Sequence, residues 1–135
     1  TTIDGSALTG VLTVGGDVIA GTTVTGGAGK DVFTAGSNNG ATYNGGANND
    51  QLTATVANMV ATGANDTAFH GGAGTDTLVI SGVDTVSFSA GNLGTLTNTE
   101  IVQLTATAGN TATFTRADLS TLKEVVLSAL DAAIA

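Results

Sequence analysis

The sequence contains no cysteine, no proline and no tryptophan, and only three of its 135 residues are lysine or arginine. The absence of cysteine excludes a disulfide scaffold and a zinc–thiolate site, and the absence of proline excludes collagen and proline-rich linkers. Eleven acidic residues give a formal net charge of -8, which repels phosphate backbones and anionic lipids. We therefore expect neither nucleic acid nor a membrane surface as a partner, and no apolar run approaches the ~18 residues of a membrane span.

The composition nevertheless favours a folded chain. Charged residues make up 10% and hydrophobic residues 41%, with a mean hydropathy of +0.31, unlike the composition of disordered acidic tails. The length suits one domain or a stack of small modules. The start has no basic or apolar leader and no initiator methionine, so we expect a processed product or a piece of a longer protein. The lack of cysteine is typical of extracellular proteins that avoid disulfides, although a short chain can also lack it by chance.

Three segments share one nine-residue pattern, Gly-Gly-x-(Gly or Asn)-x-Asp-x-apolar-x, at residues 26–34, 45–53 and 71–79. Each is preceded by a degenerate nonapeptide that keeps the apolar position, so the pattern predicts three coils of 18 residues. One spacer residue, Ala35, and an eight-residue spacer at 54–61 separate the coils. The apolar positions are filled in all six nonapeptides, by Val24, Phe33, Tyr43, Leu52, Phe69 and Leu78.

Each residue type has a physical reason to occupy its position in the repeat. Glycine and asparagine tolerate positive φ, which lets the backbone turn tightly and direct carbonyl oxygens inward. The aspartate adds a hard carboxylate, and the x-apolar-x segment predicts a short strand whose central side chain faces the core. Because coils of a parallel solenoid stack ~4.8 Å apart, carbonyls and carboxylates of neighbouring loops converge. Sites made only of oxygen select Ca²⁺ over Zn²⁺ and over most Mg²⁺ sites.

The arrangement over residues 17–79 resembles the RTX calcium β-roll of proteins exported by Gram-negative type I secretion systems. The resemblance implies an all-β fold, a right-handed parallel β-roll or β-helix solenoid with calcium-binding loops and a β-rich C-terminal extension. Residues 1–16 would form a lead-in strand or cap, residues 17–79 the calcium roll, and residues 80–135 a β-rich continuation or cap.

Carried over residue by residue, the resemblance places the Ca²⁺ ligands on the aspartates and on main-chain carbonyls of the three loops. The candidate metal residues are Gly26, Gly27, Gly29 and Asp31, then Gly45, Gly46, Asn48 and Asp50, and finally Gly71, Gly72, Gly74 and Asp76. Asn48 departs from the family pattern, but asparagine is the best substitute for glycine in the left-handed conformation.

The alternation of consensus and degenerate nonapeptides predicts that all three loops lie on one edge of the roll. Three stacked loops enclose two gaps, so we expect two well-occupied ions and a weaker third where an outer loop meets solvent or another segment. Asp50 belongs to the middle loop and should contribute most to affinity. We expect asparagine hydrogen bonds to hold the opposite edge, which carries Asp17 and residues 37–40 and 64–66. Since calcium removes carboxylate repulsion, folding should be coupled to calcium.

Beyond residue 79 the Gly-Gly loops stop but strand patterns continue, at 83–88, 100–105, 112–115 and 124–128. They predict either an extended solenoid or a capping sheet. A short helix is expected at 115–119, helix and strand are equally favoured at 124–127, and residues after 128 favour helix or fraying. Similar Thr- and Ala-rich stretches accompany RTX repeats in bacterial surface-layer proteins.

Other chemistry finds little support in the sequence. The single histidine, His70, lies at the outward end of a strand and is expected to have a surface or hydrogen-bonding role. The chain has no cysteine nucleophile, no His-Glu-x-x-His and no Gly-x-Ser-x-Gly elbow, so we expect no enzymatic activity.

Two functions fit these expectations. The first is a calcium-dependent structural domain of a secreted surface-layer protein at a Gram-negative cell surface. It would self-associate into a lattice and meet cell-surface polysaccharide through other parts of its parent protein. The alternative is the C-terminal calcium-binding and export module of an RTX hydrolase or adhesin. Ice binding by a flat Thr/Asn face is disfavoured, because no regular Thr-x-Thr ladder follows the repeat.

Overall fold

The computed structural model describes residues 1–37, 40–59, 66–83, 86–88, 95–106, 112–114 and 122–128. Almost all of its regular structure is β-strand, because the short x-apolar-x segments alternate inward and outward side chains. In chain order the elements are β1 (Thr2–Asp4), β2 (Thr13–Val14), β3 (Thr23–Thr25), β4 (Val32–Thr34), β5 (Thr42–Ala47), β6 (Gln51–Thr55), α1 (Val56–Met59), β7 (Ala68–Ala73), β8 (Thr77–Val83), β9 (Val86–Phe88), β10 (Leu96–Thr97), β11 (Ile101–Ala106), β12 (Ala112–Phe114) and β13 (Glu124–Ser128).

The strands form two main parallel sheets. The first sheet has five strands in the order β1-β3-β5-β7-β10, and the second has six in the order β13-β11-β8-β6-β4-β2. Each strand of the first sheet is followed along the chain by a strand of the second, so the chain winds as a parallel β-solenoid. This confirms the predicted all-β solenoid. Strands β9 and β12 pair in a separate two-stranded parallel sheet.

The apolar positions of the repeats form two inward rows between the sheets. The register confirms the predicted alignment, since all six side chains are fully buried and stack in order along their sheets. The rings of Phe33 and Tyr43 meet across the core with centroids 5.6 Å apart. Leu96 and Val102 extend the two rows into the next coil. The repeat positions supply Val24, Tyr43 and Phe69 to the first sheet, and Phe33, Leu52 and Leu78 to the second. A further inward row in the second sheet is formed by Ala54, Ile80 and Leu104.

The spacers are absorbed at the edge opposite the glycine loops. Equivalent aspartates are separated by 19 residues across the first spacer and by 26 across the second. The longer spacer begins within β6 and continues as α1, a short helix that the sequence did not predict, in which Asn58 and Met59 are buried. Residues 60 and 61 of this spacer lie outside the described residues. The register of the repeats is thus preserved while the coil length varies.

Two of the four strand patterns after residue 79 continue the second sheet, whereas β9 and β12 pair only with each other among the described strands. Strand β11 pairs in parallel with β8, and β13 pairs with β11, so both extend the second sheet. This supports an extended solenoid over a separate capping sheet for these two strands. The segment for which helix and strand were equally favoured is a strand, β13. The helix expected at 115–119 and the residues after 128 lie outside the described part. No described helix is long and apolar enough to cross a membrane.

Candidate metal centre

The three glycine loops lie at the same edge of the solenoid, as predicted. They connect β3 to β4, β5 to β6 and β7 to β8, and each passes from the first sheet to the second. The loops stack in register, since Gly46 pairs with Gly72 and the N–H of Ala47 donates to the carbonyl of Gly27 over 3.0 Å. The aspartates that close the loops therefore align along one side of the molecule.

Four acidic residues at this edge form a continuous hydrogen-bonded series, which we call the acid ladder: Asp31, Asp50, Asp76 and Glu100. The N–H of Asp31 donates to Oδ1 of Asp50 over 2.7 Å, and the N–H of Asp50 donates to Oδ1 of Asp76 over 2.7 Å. The N–H of Asp76 donates to Oε2 of Glu100 over 2.9 Å. Each carboxylate thus binds the main chain of the acidic residue one coil before it.

The acid ladder is buried and only partly satisfied. The exposed fractions are 0% for Asp31, 1% for Asp50, 0% for Asp76 and 8% for Glu100. Asp31 uses both oxygens, accepting from the N–H groups of Leu12 and Gly27 over 2.6 and 2.7 Å. By contrast, the Oδ2 atoms of Asp50 and Asp76 are buried and have no hydrogen-bond partner among the described residues. Buried carboxylate oxygens without a partner are costly, and a ligand that contacts these two atoms would remove that cost.

Burial and neighbouring like charges disfavour the ionised forms of Asp50 and Asp76. Desolvation raises the pKa of Asp50 to about 6; the N–H of Asp31 opposes this, and the charges of Asp76 and Asp31 add to it. Desolvation also raises the pKa of Asp76, the bond from the N–H of Asp50 opposes it, and the charge of Glu100 adds to it. A bound cation would reverse both effects, because it favours the charged form of its ligands.

The first glycine of each pair makes room for the ladder. In β5 and β7 buried and less buried residues alternate, so Gly45 and Gly71 face inward where a side chain would otherwise stand. A Cβ on Gly45 would collide with Oδ2 of Asp50 and with the carbonyl oxygen of Gly71. A Cβ on Gly26 would collide in the same way with Asp31 and with the carbonyl oxygen of Gly45.

The expectation that the whole glycine pattern serves positive φ is therefore wrong for the first glycine, which is needed for close approach. Positive φ occurs at the second glycine of two loops, Gly46 (114°) and Gly72 (106°), and at the fourth position in Asn48 (81°) and Gly74 (151°). Gly27 and Gly29 are not in this conformation; a Cβ on either would collide with main-chain carbonyl oxygens of the first coil. Asn48 occupies the left-handed region as the sequence predicts.

The predicted carbonyl ligands divide into two groups. The carbonyl oxygen of Gly45 lies beside Oδ2 of Asp31, in the space that a side chain at Gly26 would fill. The carbonyl oxygen of Gly71 lies beside Oδ2 of Asp50, in the space that a side chain at Gly45 would fill. The carbonyl of Gly27, in contrast, already accepts the N–H of Ala47. The unpartnered carboxylate oxygens and the carbonyls beside them fit a hard divalent cation such as Ca²⁺, and no histidine or cysteine of the described residues lies beside them.

Within the described residues, no three acidic, histidine or cysteine side chains gather around a single point. The acids are instead spread one per coil along the ladder. A cation at this edge would therefore take main-chain oxygens as well as carboxylates. The same part of the chain contains no pocket.

Sequence reasoning missed Glu100 as a member of this series. The Gly-Gly signature is absent before it, yet Glu100, Ile101 and Val102 repeat the acid-x-apolar pattern that follows each glycine loop. That pattern was the available signal. At the other end, the N–H of Leu12 donates to Asp31, so an apolar residue occupies the ladder position in the first coil.

The opposite edge is held by side-chain hydrogen bonds. Asp17 accepts from the N–H and the hydroxyl of Ser37, and the buried Asn58 donates to the carbonyl of Gly36 over 2.7 Å. An asparagine contributes as expected, although at a position that was not singled out. The predicted residues 38, 39, 64 and 65 lie outside the described part.

The hydrogen-bonding role expected for His70 is confirmed. Its Nδ1 lies 2.5 Å from the hydroxyl oxygen of Thr97, in the next strand of the first sheet. This contact lies on the outward side of that sheet, because Phe69, the preceding residue, faces the core.

Comparison of the chain with protein-family models, with curated proteins and with solved structures finds no match. The interpretation of the acid ladder therefore depends on the sequence and structure of this chain. Its strongest elements are the register of the loops, the burial of the four acids and the two unpartnered oxygens.

Proposed function

We propose that the chain is a calcium-dependent structural domain of a secreted bacterial surface-layer protein. Calcium drives its folding outside the cell and promotes contacts in the lattice. The observation that carries this proposal is the buried acid ladder, in which the Oδ2 atoms of Asp50 and Asp76 lack partners beside main-chain carbonyls. The repeat that resembles the RTX nonapeptide occurs at the same residues.

The residues that would hold Ca²⁺ are Asp31, Asp50 and Asp76, together with the carbonyls of Gly45 and Gly71. When bound, the ion supplies positive charge where desolvated carboxylates stack. Without it, the folded chain retains the repulsion and the unpartnered oxygens, so metal binding and folding are coupled. Modules that bind calcium with dissociation constants of about 0.1 to 1 mM suit the extracellular space, where such concentrations occur.

Two surface features support association between copies. The outward residues of the first sheet carry little charge: Thr2, Asp4, Thr23, Thr25, Thr42, Asn44, Ala68, His70 and Thr97. Of this set only Asp4 is an acid, so neighbouring copies would not repel strongly there. Leu8, Val11 and Ile19 are exposed large hydrophobic residues, and all three belong to the first coil, at one end of the stack. Leu8 and Val11 lie in the connection from β1 to β2, whereas Ile19 lies in the connection from β2 to β3 at the opposite edge. Exposed apolar groups at this end of the stack favour a protein contact.

A calcium titration followed by light scattering tests the proposal, with magnesium as the control cation. We expect scattering to rise with calcium and to fall when the ion is chelated, while magnesium has little effect. Ordered sheets under electron microscopy at high calcium would identify the assembly as a lattice. A chain that ignores calcium in this assay would contradict the proposal.

The same titration separates the alternative function. A C-terminal calcium-binding and export module of an RTX hydrolase or adhesin would also bind calcium at the acid ladder, but it would stay monomeric at high calcium. If the chain stays monomeric, an assay for enzymatic or adhesive activity of the parent protein tests this alternative. Nucleic acid and membranes are poor partners under either proposal because of the net charge of -8.

A further inference from the structure

The acid ladder extends one coil beyond the glycine repeats. Strand β10 continues the first sheet beside β7, and its register places Asn98 opposite Gly71, the first glycine of the last loop. Strand β11 pairs with β8 so that Ile101 is opposite Thr77, which places Glu100 opposite Asp76. A turn of a different sequence therefore occupies the position of a fourth loop.

The 98–100 turn is shorter than the glycine loops, and the longer side chain of Glu100 compensates for the difference. Five positions separate Gly71 from Asp76, but only two separate Asn98 from Glu100. Asn98 has a φ of 49°, which lets the backbone reverse within the shorter connection. The additional methylene of glutamate then brings the carboxylate to the N–H of Asp76, which donates to Oε2 over 2.9 Å.

An unpartnered oxygen points into the space between this turn and the last loop. Asp76 is fully buried, and no described residue gives its Oδ2 atom a hydrogen bond. A Cβ on Gly71 would lie 2.6 Å from that atom and would collide with the carbonyl oxygen of Asn98. The arrangement at Gly45, between Asp50 and the carbonyl of Gly71, is the same in kind.

We propose that the 71–76 loop and the 98–100 turn hold a third divalent cation, with Asp76, Glu100 and the carbonyl of Asn98 as oxygen ligands. The inference rests on the proposed function, that the acid ladder binds calcium. It adds a ligand, Glu100, that lies outside the nonapeptide repeats. The ladder then has three gaps between neighbouring acids, and the weaker third ion expected from the sequence at an outer loop is assigned to the gap beside the 98–100 turn.

The series ends at both sides in residues that cannot extend it. Position 12, one coil before Asp31, is leucine, and position 123, opposite Glu100, is lysine. The N–H of Lys123 donates to the carbonyl of Glu100 over 2.7 Å, which sets this register. Among the described coils, three gaps between acids are therefore the full number.

Counting bound calcium ions by native mass spectrometry, supported by calorimetric titration with calcium chloride, tests the inference. The unaltered chain should bind three ions, and Glu100→Gln should bind two. The matched control is Glu124→Gln, which removes the same charge from an exposed residue one coil away, and it should still bind three. Circular dichroism of each variant in saturating calcium checks that it is folded.

The results separate calcium binding by the acid ladder as a whole from binding of a third ion at Glu100. A chain that binds no calcium overturns this inference together with the proposed function. Two ions in the unaltered chain, or three ions in folded Glu100→Gln, overturn the inference alone and leave calcium binding by the three loops intact. Because the count on the unaltered chain needs no variant, a Glu100→Gln chain that fails to fold does not remove the test.

Discussion

The main-chain N–H of Asp50 donates a 2.7 Å hydrogen bond to Oδ1 of Asp76, the equivalent residue one coil further along the solenoid. The bond fixes the orientation of the Asp76 carboxylate and leaves its other oxygen buried without a partner. The same relationship joins Asp31 to Asp50. These hydrogen bonds between coils thus orient the carboxylates so that their Oδ2 atoms lie beside the carbonyls of the adjacent loops.

The position of each acid in the ladder predicts its contribution to calcium binding. Asp50 and Asp76 each have acidic neighbours on both sides, whereas Asp31 follows Leu12. We expect Asp50→Asn and Asp76→Asn to lower calcium affinity about tenfold or more, since a charge-assisted contact contributes about 1.5–3 kcal/mol. Asp31→Asn should lower it less. Calorimetric titration of the three variants measures the difference.

This ranking of the three aspartates by calcium affinity differs from the one expected from the sequence, in which only Asp50, in the middle loop, was to contribute most. Equal losses of affinity in all three variants would contradict the ladder as the binding element. A larger loss at Asp31 than at Asp76 would show that the ions lie elsewhere along the loops.

The raised pKa of Asp50 predicts how the metal-free chain responds to acid. Its folded-state pKa of about 6 lies above the ordinary value of 3.8, so folding favours the protonated form. That stabilisation is complete below about pH 3.8 and is lost as the pH rises through about 6. The strand signal of the chelated chain in circular dichroism should therefore increase as the pH falls from about 7 to about 4.

The control for this titration is Asp50→Asn, which carries no charge at that position and should show a weaker dependence on pH. With calcium bound the sign reverses, because protons compete with the ion for the same carboxylates. A metal-free chain that loses strand structure between about pH 7 and about pH 5 would contradict the assignment.

Replacing an inward glycine should destabilise the protein through steric collision and not through backbone strain, because these glycines do not have positive φ. Gly45→Ala should destabilise the calcium-saturated protein by about 3 kcal/mol, because the new Cβ meets Asp50 and the next carbonyl. Gly10→Ala is the matched control, since a Cβ there meets nothing within 4 Å and its φ is not positive. It should leave stability unchanged or raise it by about 0.5 kcal/mol. Urea unfolding measures both, and similar losses in the two variants would refute the close-approach role.

The exposed apolar residues of the first coil predict where copies meet. Val11 is 61% exposed and Ile19 59% exposed, so replacing both with threonine removes apolar surface without disturbing the core. We expect the double variant to bind calcium as before but to show weaker calcium-dependent light scattering. Scattering equal to that of the unaltered chain would place the contact on another surface.

The buried hydroxyl of Tyr43 predicts a substitution that raises stability. It has no hydrogen-bond partner in the described part of the chain, and burial raises the pKa of the phenol. Tyr43→Phe removes the unsatisfied group and keeps the ring against Phe33, so it should be neutral or stabilising by about 1 kcal/mol. A loss of more than about 1 kcal/mol in urea unfolding would reveal a partner for this hydroxyl.

Much of the fold was predictable because the repeat combines two strong local signals. The apolar positions follow the two-residue period of a strand, so Phe33 and Leu52 could be placed in the core from their spacing alone. The glycine loops mark where the chain leaves one sheet for the next. Their alternation with degenerate nonapeptides was sufficient to predict that Asp31, Asp50 and Asp76 share an edge.

The parts that escaped prediction depend on contacts between coils. Glu100 reaches the ladder because its longer side chain offsets a shorter turn, a substitution that no nine-residue pattern contains. Helix α1 forms within a spacer whose residues have no repeat to compare with. The role of Gly45 in close approach requires the position of the next coil, so the sequence alone suggested a turn conformation instead.

The central claim is that calcium at the acid ladder holds the solenoid together. The most direct test is the far-ultraviolet circular dichroism spectrum of the purified chain in calcium and after addition of excess EDTA. The account predicts a β-sheet spectrum in calcium at neutral pH, loss of that spectrum in EDTA, and its recovery when calcium but not magnesium is restored. A β-sheet spectrum that EDTA leaves unchanged would contradict it.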